Sequence, residues 1–122
     1  LVKLAPDLTD DELEDALVAI QENGMDGVIA SNTTLSREGI KSPHAQEAGG
    51  LSGAPLTLRS REMVAKITQR TAGRLPVIGV GGIMTPIDAR AMFDAGACLV
   101  QVYTGLIYAG PGLVQRILME AL

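Results

Sequence analysis

The sequence predicts an α/β protein made of four consecutive strand–helix units, with residues 1–122 forming one domain. Two observations predict this class. Short apolar runs alternate with amphipathic, well-capped segments along the whole chain, which is typical of a parallel sheet with right-handed crossovers. Apolar residues make up 47% of the chain and charged residues 20%, so the composition provides a core and excludes a mainly disordered protein.

Four β-rich runs are the predicted strands. Each run is mostly apolar on both faces, as expected for a parallel sheet that helices cover. The runs are LVKLA at 1–5, GVIASN at 27–32, PVIGV at 76–80 and CLVQVY at 98–103.

Helices are predicted between the strands and after the last one. Thr9 can cap the first helix while Glu12 reaches back to it, and Gly24 supplies the left-handed stop. Two loops stand out: a long insertion at 34–56 and the glycine-containing TGLIYAGPG after the last strand. The other helices are predicted over 58–72, from Thr85 and Pro86 to Gly96, and from about Leu113 to the C-terminus.

Four such units fit either an open doubly wound sheet or half of a (βα)₈ barrel. A barrel typically needs about 250 residues, roughly twice this chain. Polar residues at the ends of apolar strands favour the barrel, whose mouth would hold a ligand. Because the chain also begins on a strand and without Met, we expect it to be a fragment. The polar residues at the strand ends are Lys3, Asn32, Thr33, Gln101, Tyr103 and Thr104.

The glycines of LPVIGVGGIMTP leave the backbone without side chains where the third strand ends. Gly79, Gly81 and Gly82 precede a capped helix, so their loop can present N–H groups to an anion. The loop after the last strand has a similar character, and in barrels these two loops commonly bind phosphate. Tight packing alone is the alternative explanation. A dinucleotide-binding fingerprint is not matched, because GVGGIM does not fit G-x-G-x-x-G.

Three other polar positions permit both a functional and an ordinary interpretation. Lys3 alternates with Val2 and Leu4, so its side chain points away from theirs, towards a barrel axis or into solvent at a frayed terminus. Asn32 and Thr33 could orient a polar planar ligand or simply form a turn.

Composition excludes several classes of function. A net charge of −4 without a basic run argues against nucleic acid. No apolar stretch approaches the roughly 18 residues of a membrane span. Cys98 is the only cysteine and His44 the only histidine, and we predict no metal site.

Five motifs follow one another along essentially the whole chain: VKLAPDLTDDE, DGVIASNTTLSR, GGLSGAPL, PVIGVGGI and GACLVQVYTGLIYAGP. In this order they resemble the dihydroorotate dehydrogenase family. SNTTLSR and GGLSGAPL are similar to its membrane-associated, quinone-using class. The resemblance implies the C-terminal (βα)₄ half of a (βα)₈ TIM barrel that holds flavin mononucleotide (FMN) at its mouth.

The resemblance also implies a role for particular residues. Asn32 and Thr33 would hydrogen-bond the pyrimidine substrate, and a bulky residue at Gly82 would weaken flavin binding while leaving the barrel folded. The residues implied to bind FMN are Lys3, Ser31, Ser52 and Gly53 near the ring, and Gly81, Gly82, Tyr103 and Thr104 at the phosphate.

The implied reaction oxidises dihydroorotate to orotate and passes electrons through FMN to a quinone. The proton-abstracting base would be a serine in the missing N-terminal half, so no catalytic residue is expected here and the fragment should be inactive alone. The parent would lie peripherally on a bacterial or mitochondrial inner membrane through other missing segments, whereas the fragment should be soluble and self-associate through its open edges.

Two alternatives to a fragment of this enzyme stay open. They are a non-catalytic half-barrel that binds phosphate or flavin, and another FMN-dependent barrel oxidoreductase.

Overall fold

Four parallel strands form one sheet in the order β1–β2–β3–β4 in the computed structural model, which describes residues 1–122. Sequential order with parallel pairing throughout confirms the predicted alternation of strands and helices. Each strand is shorter than its predicted run, because the pairing stops where the chain turns into the adjoining loops. The strands are β1 (Val2–Leu4), β2 (Val28–Ala30), β3 (Val77–Val80) and β4 (Leu99–Gln101).

Five α-helices connect and follow the strands. Two of them begin with a complete capping box: Thr9 pairs with Glu12 and Thr85 with Asp88, as each side chain binds the other residue's backbone N–H. These caps fix the first turns of the helices that follow β1 and β3. The helices are α1 (Asp10–Glu22), α2 (Thr57–Arg70), α3 (Pro86–Asp94), α4 (Thr104–Ala109) and α5 (Gly112–Glu120), and a 3₁₀ turn at Ala54–Leu56 precedes α2.

Helix α4 corrects the prediction of a loop between β4 and the last helix. It is six residues long and is followed by Gly110, whose φ of 72° reverses the chain before α5. Gly105 lies inside it, and a Cβ there would come within 2.1 Å of the Ile83 carbonyl oxygen. This glycine therefore allows α4 to lie against the loop that follows β3.

The core lies between the helices and one face of the sheet. Val28 and Val77 are neighbours on adjacent strands and are almost completely buried. Leu17, Val64 and Met92, from three different helices, are buried in the same cluster. Burying a side chain of this size stabilises a fold by roughly 1.5–3 kcal/mol, so these contacts hold the helices on this face.

The opposite face of the sheet is only partly covered. Lys3, Ile29, Ile78 and Leu99 share one row of the strand pairing and therefore one face. Lys3 is exposed, Leu99 is 59% exposed, and the two isoleucines are half-buried. The predicted orientation of Lys3, away from the helix-covered core, is confirmed. No helix of the protein is both long enough and apolar enough to cross a bilayer.

Candidate functional site

A cavity of about 480 Å³ lies where the carboxyl ends of the four strands meet the loops that follow them. Its volume falls in the range of small-molecule sites, roughly 300–1,000 Å³. Every residue that the sequence singled out as a candidate for cofactor or substrate binding lines this cavity. These residues are Lys3, Ser31, Asn32, Thr33, Ser52, Gly53, Gly81, Gly82, Tyr103 and Thr104.

The structure adds six lining residues that were not among the candidates. The sequence pointed to Gln101 as a possible lining residue, because it is a polar residue on an apolar strand. The other five offer apolar side chains or bare backbone, which do not stand out in a sequence. The added residues are Leu56, Val80, Ile83, Gln101, Val102 and Gly105.

The glycines at the end of β3 and in the loop after it are required by packing as well as by any ligand. A Cβ on Gly82 would lie 2.2 Å from the Thr57 nitrogen, and one on Gly79 would lie 2.3 Å from Cγ of Met92. Gly81 and Gly82 also have positive φ angles of 114° and 70°. A bulky residue at Gly82 would therefore displace backbone at the start of α2, so we expect it to cost stability as well as to weaken flavin binding, and its effect on folding stays a prediction.

The loops after β3 and β4 both have unpaired backbone donors at the cavity. The N–H groups of Gly82, Ile83 and Tyr103 have no acceptor within the protein. Gly53, from the loop before α2, adds another such N–H group and is buried. Uncommitted N–H groups that converge on a cavity form a binding site for an anion.

Polar side chains occupy the part of the cavity next to β1 and β2. Ser31 is buried, follows a cis peptide bond from Ala30, and donates its hydroxyl proton to the Asn32 carbonyl oxygen at 3.0 Å. The side-chain oxygen of Asn32 accepts the Thr33 N–H at 2.9 Å, while its NH₂ group has no partner. Lys3 forms no ion pair. An amide donor and an ammonium group therefore remain free to bind a polar ligand.

The long loop after β2 is anchored at its start by Asp7. The carboxylate of Asp7 accepts the Thr34 hydroxyl at 2.5 Å and the Leu35 N–H at 2.8 Å, and Arg59 lies 3.3 Å away. Burial by itself would raise the pKa of Asp7, but these hydrogen bonds and the nearby Arg59 charge lower the pKa below its usual value.

Arg37 holds the rest of this loop together. Its guanidinium donates to the carbonyl oxygens of Thr34, Ala45 and Glu47 at 3.1–3.2 Å, and also to that of Gly49. Thr34 and Leu51 then pair across the base of the loop. The loop thereby returns the chain to the cavity, where Ser52 accepts a hydrogen bond from the Thr104 hydroxyl at 3.1 Å.

The cavity contains binding groups but no strong general base. Its lining includes hydroxyl, amide and ammonium groups and no carboxylate, imidazole or thiol. His44 lies in the long loop outside the cavity, 75% exposed and paired with Glu47. No group of three or more His, Cys, Asp or Glu side chains could hold a metal ion. The arrangement is suited to holding a polar, anionic ligand.

Comparison with known proteins gives one consistent family. The family model described as dihydroorotate dehydrogenase matches residues 1–121. A protein of Salinispora arenicola named dihydroorotate dehydrogenase (quinone) is 56% identical over 119 residues, which is 94% of this chain and 35% of that protein. A protein of the same name from Christiangramia forsetii is 53% identical over 117 residues, covering 96% of this chain and 34% of that protein.

Solved structures agree with the sequence comparisons. The structure of DHODH from Eimeria tenella in complex with ferulenol is 44% identical, with a TM-score of 0.93 over 98% of this chain and 32% of that chain. The ligand-free structure from the same organism gives a TM-score of 0.92. The chain thus spans about a third of the length of the curated relatives and solved structures that it matches.

Proposed function

The chain belongs to the dihydroorotate dehydrogenase family, as its motifs predict, and on that premise we propose that it forms the C-terminal, FMN-binding half of such an enzyme's (βα)₈ barrel. The longer enzyme would oxidise dihydroorotate to orotate and deliver the electrons to a quinone, as the names of its relatives suggest. The observation that carries the proposal is the single cavity lined by all ten candidate residues.

The phosphate of FMN would bind between the loops that follow β3 and β4. Support comes from the unpaired N–H groups of Gly82, Ile83 and Tyr103, which suit a phosphate that carries about two negative charges. Gly81 and Thr104 would complete this end of the cavity, which they also line. The residues present therefore fit the phosphate of the cofactor.

The flavin ring would lie across the strand ends, near Lys3, Ser31, Ser52 and Gly53. The Lys3 ammonium has no ion-pair partner, so it is free to bind an electron-rich edge of the ring. Held there, FMN would supply the hydride-accepting and electron-transfer chemistry that the oxidation of dihydroorotate by a quinone requires. The residues of this chain would hold and orient the ring and exclude water from it.

Asn32 and Thr33 would orient the pyrimidine. The free NH₂ group of Asn32 is a donor suited to a ring carbonyl or carboxylate of the substrate. The proton on C5 needs a base that the cavity does not contain, so we propose that the base lies outside these 122 residues. Membrane contact and quinone binding would also lie outside them, and the chain alone would not reduce quinone with dihydroorotate.

The proposal predicts that Lys3 contributes to flavin binding. The test is an equilibrium titration of the chain with FMN, followed by flavin fluorescence. Lys3→Ala should weaken FMN binding roughly five- to tenfold, because a hydrogen bond to a charged donor is lost at a partly exposed site. Lys41→Ala is the matched control, because Lys41 is an exposed lysine that does not line the cavity. Equal affinities of the two variants, or no FMN binding by the unmodified chain, would contradict the proposal.

A further inference from the structure

Ser60 links helix α2 to the glycine loop after β3. Its side chain is completely buried, and its Oγ lies 2.7 Å from the Gly81 carbonyl oxygen and 2.8 Å from that of Leu56. The contact with Leu56, four residues earlier, is the ordinary back-bond of a helical serine. The contact with Gly81 spans 21 residues of sequence and joins two elements.

Thr57 makes a second contact of the same kind. Its hydroxyl donates to the Gly82 carbonyl oxygen at 2.6 Å. Two successive carbonyl groups of the glycine loop, those of Gly81 and Gly82, are therefore held against the start of α2.

The position of these carbonyls determines where two N–H groups point. In a trans peptide the C=O and the N–H point in opposite directions. The Gly81 carbonyl shares its peptide with the Gly82 N–H, and the Gly82 carbonyl shares its peptide with the Ile83 N–H. Both peptides are trans, so both N–H groups point away from α2. Neither has an acceptor in the protein, and both residues line the cavity.

Glycine alone would not keep these peptides in one orientation. Gly81 and Gly82 lack the Cβ that restricts φ, so the peptide between them can rotate at little steric cost. A rotated peptide would turn a carbonyl oxygen towards the cavity and repel an anion. The Thr57 hydroxyl opposes that rotation because it donates to the Gly82 carbonyl, and the Ser60 hydroxyl opposes it because its one proton is shared between the Gly81 and Leu56 carbonyls.

We propose that Ser60, assisted by Thr57, is a positioning residue that aims the Gly82 and Ile83 amides at the phosphate of the ligand. This inference rests on the proposed function and deepens it. A positioning role for Ser60 differs from a merely structural role in which ligands the loss of the hydroxyl affects. Loss of a structural hydroxyl weakens the binding of all ligands alike, whereas loss of a positioning hydroxyl weakens only the binding of ligands that carry the phosphate.

The test compares FMN with riboflavin, which has the same ring and no phosphate. Dissociation constants for both are measured by flavin fluorescence with the unmodified chain, Ser60→Ala and Thr71→Val, and thermal unfolding verifies folding. Thr71 is the matched control, because its buried hydroxyl makes the same back-bond, to the Ile67 carbonyl at 2.8 Å, away from the cavity.

Ser60→Ala should reduce the preference for FMN over riboflavin about tenfold, the scale of a misdirected hydrogen bond to a charged group, and leave riboflavin affinity unchanged. Thr71→Val should keep the preference. An unchanged preference in Ser60→Ala, or equal losses for both flavins, would overturn the inference. If Ser60→Ala does not fold, Thr57→Val decides in the same way. An unmodified chain that binds riboflavin as tightly as FMN would contradict the proposed phosphate site itself.

Discussion

The glycines after β3 illustrate how one residue can serve packing and binding together. The sequence indicated that bare backbone was needed there and left two explanations open. The structure supports the packing explanation directly, because a Cβ on Gly82 would overlap the Thr57 backbone. It also leaves the neighbouring N–H groups without acceptors, which supports anion binding. Packing and anion binding are therefore compatible explanations of these glycines, and the amino-acid sequence alone could not show that both apply.

Stability measurements on Gly82→Ala and Gly24→Ala should separate backbone strain from packing. Both glycines have left-handed φ angles, 70° and 62°, but a Cβ on Gly24 meets no atom within 4 Å. Gly24→Ala should cost about 1–2 kcal/mol of unfolding free energy from strain alone. Gly82→Ala should cost roughly 1–3 kcal/mol more, because the start of α2 must move. Urea denaturation measures both values, and similar losses would refute the packing explanation.

Elements with clear end signals were predictable from sequence, whereas shorter ones were not. The capping box at Thr9 with the stop at Gly24, and the cap at Thr85 with Pro86 and the stop at Gly96, gave α1 and α3 to within about two residues. Helix α4 was missed because six residues are too few to display a helical period and one of them is Gly105.

The long loop after β2 shows a second limit of sequence reasoning. Its length made it stand out in the sequence, but nothing indicated that Arg37 would bind carbonyl groups eight and ten residues later. Such contacts depend on the path of the loop in three dimensions. Strand ends were different, because parallel strands bring their carboxyl ends to one edge, and this places eight of the ten candidate residues at one cavity. The other two, Ser52 and Gly53, reach that cavity only through the path of the long loop.

The molecule as a whole presents surfaces that suit association. Strands β1 and β4 are open edges of the sheet, and Leu99 is exposed on its less covered face. Ile107 and Met119, from α4 and α5, are 71% and 76% exposed. Exposed edges and apolar side chains favour pairing with another chain.

We therefore propose that the isolated chain self-associates. Light scattering over increasing protein concentration should give an average mass that rises above the monomer's 12.7 kDa. Leu99→Lys should shift that rise to higher concentration, because it adds a charge to the less covered face of the sheet. A constant monomer mass for the unmodified chain across the whole range would refute the proposal.

The central claim is that the loops after β3 and β4 bind the phosphate of FMN, and amide NMR tests it most directly. The ¹⁵N-labelled chain is titrated with FMN and, separately, with riboflavin. The account predicts that the amide signals of Gly82, Ile83 and Tyr103 shift with FMN and much less with riboflavin, while that of Gly24, at the end of α1, does not move. Equal shifts with both flavins, or FMN-induced shifts that spare these three amides, would contradict it.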